Sequence, residues 1–72
     1  MVLYSRLNKS GDEKKEVSVE EAQNMAAKDL KAGDIVGKKD EGKEDYSIIR
    51  KPEEITEKTK KVMTSKPVQG GI

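Results

Sequence analysis
Apolar residues in this chain come in short clusters separated by charged runs, and the spacing inside each cluster predicts an element. The clearest is "VSVEEAQNMAAKDLKAG", where Val19, Ala22, Ala26 and Leu30 fall on one helical face with Met25 beside them. Ser18 is a good N-cap, Glu21 three residues on completes a capping box, and Val17 against Ala22 has the staple spacing. Gly33 stands where a left-handed residue would stop the helix, and Lys28 and Lys31 suit its dipole. These signals predict a helix over 19–32. Its apolar face is small and mainly alanine, so it needs a neighbour and permits close approach of one.

Gly33 to Val36 and Tyr46 to Arg50 read as two short strands, a hairpin near 34–50 with a long polar tip. Ile35, Tyr46, Ile48 and Ile49 are its apolar content. In "KPEEITEKTKKVM", Pro52 suits a first helical position, acids precede lysines, and Glu54–Lys58 and Glu57–Lys61 have i, i+4 spacing. The expectation is a second helix over 52–64 with a narrow stripe of Ile55, Thr59, Val62 and Met63. The same stretch partly alternates with period two, which leaves an extended form open.

Val2 to Leu7 is β-favourable and reads as an N-terminal arm, either an edge strand of the domain's own sheet or a strand donated to a partner's sheet. "NKSGDEKKE" after it reads as a polar linker. The expected fold is α+β: a small single domain with two short helices and a β-hairpin, and extended N- and C-terminal arms. Residues 1–16 form the arm or edge strand plus linker, 17–64 the core, and 65–72 the C-terminal tail.

Composition narrows the function. Of 72 residues, 32% are hydrophobic and 40% charged, with no Phe or Trp; a chain of this size buries only about 60% of its unfolded surface, so the core is thin. The 15 basic and 14 acidic residues are interleaved and nearly cancel at +1, which speaks against a broad nucleic-acid or membrane field. With neither Cys nor His, zinc sites of the usual type, thiol nucleophiles and a histidine base are excluded. The apolar run at the N-terminus is too short for a signal peptide or a membrane span, so a soluble chain kept inside a cell, or assembled into a particle, is expected.

"GKKDEGKE", residues 37 to 44, fits G-x-x-x-x-G-K, most of a phosphate-binding loop. Glu44, however, occupies the magnesium-binding hydroxyl's place, and Asp40 and Glu41 would repel a triphosphate. The following segment reads as a strand where a helix is required. Asp40, Glu41, Glu44 and Asp45 lack the spacing of a calcium loop, and Lys38, Lys39 and Lys43 compete with an ion. Lys58, Lys60, Lys61, Lys66 and Arg50 make a modest basic patch without aromatic residues to stack bases. Gly70-Gly71 near the C-terminus resembles precursors of ubiquitin-like modifiers over those two residues; the strand and apolar content expected before it falls short of that fold, and a flexible or docked tail is the expectation.

The sequence therefore points to a non-catalytic accessory or structural protein that binds a larger protein assembly, for example a virus capsid or another multi-subunit shell carrying many copies. The alternatives are a small regulator or inhibitor of one protein target and a weak binder of the nucleic-acid backbone. Expected contact residues are Val2, Leu3, Tyr4, Leu7, Met25, Leu30, Ile55, Val62, Met63 and Val68. No catalytic, cofactor-binding or metal-binding residue is assigned.

Overall fold
The computed structural model describes residues 1–8 and 11–66. Among the described residues, five strands form one mixed sheet. In chain order they are β1 (Val2–Asn8), β2 (Gly11–Val17), β3 (Ile35–Asp40), β4 (Ser47–Ile49) and β5 (Thr59–Ser65), with helix α1 (Val19–Lys31) between β2 and β3 and a 3-10 turn at Pro52–Glu54. The spatial order is β2-β1-β5-β3-β4. β1 and β5 run parallel and the other neighbours antiparallel. The last strand thus lies in the middle, held on one side by the first.

Alternation within the strands divides the sheet into two faces. Val2, Tyr4, Val17, Val36, Ile49 and Val62 are buried with Ala22 and Ala26 of α1 in one core cluster, and Val19, Met25 and Leu30 pack against it. The helix begins where its cap dictates, Ser18 Oγ accepting from the Glu21 N–H at 3.1 Å. It ends at Gly33, whose φ of 90° few side chains tolerate. Alanines at 22 and 26 let the helix lie close to the sheet.

Ile55, 0% exposed, closes one end of this core. Its carbonyl accepts from Gln23 Nε2 at 2.6 Å, which ties the turn to α1. The turn is capped from within, because Glu54 Oε2 accepts the N–H groups of Arg50 at 2.8 Å and Lys51 at 3.1 Å. Those bonds hold the Glu54 carboxyl below the ordinary carboxylate range. Lys38 Nζ donates to the Glu54 carbonyl at 2.7 Å.

The architecture corrects the expected pair of helices and single hairpin, although the class remains α+β. Residues 52–64 are a short turn followed by β5. Paired i, i+4 charges stabilise a helix by only about 0.2–0.5 kcal/mol each. As a strand the segment buries Thr59, Val62 and Thr64 and pairs on both sides, with β1 and β3. The supposed linker is partly β2, with Glu13, Lys14, Lys15 and Glu16 exposed. Charges there suit the sheet's edge, where they discourage pairing with other chains. Residues 2–8 pair on both sides rather than forming an edge.

Candidate functional site
Two features combine polar chemistry with accessibility, one on each side of the sheet. Facing α1, Asp29 lies between the helix and β1, with only 9% of its surface exposed. Its Oδ2 accepts from the Tyr4 hydroxyl at 2.5 Å and from Arg6 Nε at 3.3 Å. The Arg6 guanidinium stands 5.5 Å from the centre of the Tyr4 ring. Burial, followed by the hydrogen bond to Asp29, raises the Tyr4 phenol well above its ordinary 10.0. Beside this cluster a small cavity of about 120 Å³ is lined by Tyr4, Arg6, Glu13, Lys15 and Met25.

A buried carboxylate with two donors is a fastener. Tyr4 is shifted away from any proton transfer near neutral pH. Asp40 is likewise committed: burial pushes its carboxyl up, but the bond from Thr59 Oγ1 at 2.9 Å and the Lys38 ammonium at 3.2 Å outweigh that and hold it low. The glycine-lysine segment is no phosphate cradle here, since Gly37 to Asp40 run inside β3. Gly42 turns the chain at φ 81°, and the Lys43 N–H donates to the Asp40 carbonyl at 3.1 Å. Among the described residues no group of three Asp or Glu side chains is placed to hold a metal ion.

Among the described residues no helix covers the opposite face of the sheet. The pairing register lays Lys14, Ser5, Met63, Gly37 and Ile48 in one row across all five strands. Glu16, Leu3, Lys61 and Lys39 form the neighbouring row. Tyr46 lies against Gly37, its Cβ 3.6 Å from where a side chain at that position would start. Met63 is 39% exposed, Tyr46 41%, Ile35 42% and Ile48 71%. Exposed apolar residues scattered singly are ordinary, but these share one face.

The expected contact residues divide accordingly. Val2, Tyr4, Ile55 and Val62 belong to the buried cluster, with Met25 and Leu30 packed against it. Leu3 is half-buried on the open face beside exposed Met63. Leu7 lies in β1, with its side chain outside the described residues; Val68, Gly70 and Gly71 also lie outside them. Sequence reasoning placed Ile35, Tyr46 and Ile48 on a hairpin without recognising their shared surface. Alternation at 35–39 and 61–65 was the available signal, obscured by the helical spacing of the lysines.

No family model matches the chain, and no curated protein or solved structure matches it either. Among the described residues no helix is long and apolar enough to cross a membrane.

Proposed function
We propose that this chain is a non-catalytic protein-binding domain whose contact surface is the open face of the sheet. One observation carries the reading: Ile35, Tyr46, Ile48 and Met63 are exposed together on a face that no element of the described chain covers. Their burial by a partner is favourable at about 25 cal/mol per Å² of apolar surface.

A larger assembly such as a virus capsid or other multi-subunit shell offers one setting, each copy docking by the same face. A regulator blocking a single protein target would use it in the same way. The test is affinity capture from cells of the source organism with wild type and the Ile48→Asp/Met63→Asp variant. The expected result is a captured protein that the variant loses while keeping its circular dichroism spectrum. An unchanged set of captured proteins overturns the assignment to this face.

A second, narrower reading is favoured by the strand content. Gly70-Gly71 resembles the glycine pair of ubiquitin-like modifier precursors, and the described residues before it form five strands with a helix packed on one face. The resemblance implies that, once whatever follows Gly71 is cleaved away, the freed Gly71 carboxyl group is joined to other proteins. Tagged wild type would then yield adducts of higher mass in its own cells, lost on Gly71→Ala; identical patterns for the two exclude it.

A further inference from the structure
We propose that the open sheet face selects a protein segment whose apolar side chains are flanked by carboxylates, with Lys39 and Lys61 as the selecting residues. The inference rests on the reading of this face as a protein contact. Lys39 of β3 and Lys61 of β5 are direct cross-strand partners in the middle of the sheet. Like charges placed opposite each other destabilise a sheet. Neither lysine joins an ion pair among the described residues, whose bridges are Arg6–Asp29 and Lys38–Asp40. Glu16 shares their row but stands beyond Leu3, two strand spacings from Lys61, roughly 10 Å away.

The lysine pair borders the apolar strip, because Lys61 lies two residues before Met63 on the same side of β5 and Lys39 two residues after Gly37 on β3. A partner can therefore set apolar groups on Met63, Tyr46 and Ile48 while a carboxylate meets both ammonium groups. Charge also decides between candidate occupants. The described charged residues in the two rows are Lys14, Lys39 and Lys61 against Glu16 alone. A second copy stacked on this face would bring its own lysine pair to the first. An acidic partner removes the repulsion and orients the contact.

The test uses two synthetic amphipathic 18-residue peptides with identical leucine positions, all other positions Glu in one and Lys in the other. Binding to the full chain is followed by amide chemical shifts and by calorimetry at two salt concentrations. The Leu/Glu peptide is expected to shift the resonances of Lys39, Lys61, Met63 and Ile48, and to bind at least about tenfold more tightly than the Leu/Lys peptide. Lys39→Glu/Lys61→Glu, changing groups at the surface, should reverse that preference. Equal affinity for both peptides at this face, or a preference the reversal leaves unchanged, overturns the charge selection while leaving the docking surface standing. If neither peptide perturbs this face, or the shifts map to α1 instead, the docking surface falls with it.

Discussion

Replacing Tyr4 by Phe keeps the ring in the core and removes one oxygen, so it isolates the bond that fastens β1 to α1. That hydroxyl donates to the Asp29 carboxylate at 2.5 Å between residues that are 1% and 9% exposed. A hydrogen bond to a charged group contributes about 1.5–3 kcal/mol. Arg6 remains on the same oxygen at 3.3 Å, but its side chain is 36% exposed, and such a pair is worth at most about 1 kcal/mol. The expected loss is about 2 kcal/mol, against a total of about 4–10 kcal/mol for a domain of this length.

Urea unfolding measures it: with a slope near 1 kcal/mol per molar, the midpoint falls by about 2 M. In an Asp29→Asn background the same change should cost at least about 1 kcal/mol less. Raising the pH gives a second readout. The folded phenol titrates above its unfolded value of 10.0, so its contribution is complete below that pH and is lost as pH rises beyond it. Wild type should lose stability there by about 1.4 kcal/mol per pH unit more than Tyr4→Phe. A midpoint shift below about 0.5 M, together with additive single and double variants, would refute the claim that this bond joins helix to sheet.

Three further outcomes follow from burial and backbone geometry. Ile55→Ala empties a position with 0% exposure and should cost about 2–5 kcal/mol in the same urea assay. Gly33→Ala places a side chain at φ 90° and should cost about 1 kcal/mol, read as a lower melting temperature. Asp40 is held below the ordinary carboxyl value of 3.8, so its contribution is present above that pH and lost as pH falls through the lowered value. The stability gap between wild type and Asp40→Asn should therefore narrow below about pH 4 in acid titration followed by circular dichroism.

Local chemistry alone determined α1, because Ser18, the alanine-rich face and Gly33 act within one or two turns. It also set the α+β class and the interleaved charge. Which strands meet was another matter: β5 is flanked by β1 and β3, partners distant in sequence whose pairing no local window contains. For residues 52–64, lysine spacing and Pro52 argued for a helix, and only the slot between two strands turned Thr59, Val62 and Thr64 inward. The candidate surface was illegible for the same reason. Lys39, Lys61, Met63 and Ile48 come from three strands, and they share a face only because tertiary pairing sets the register and α1 covers the other side of the sheet.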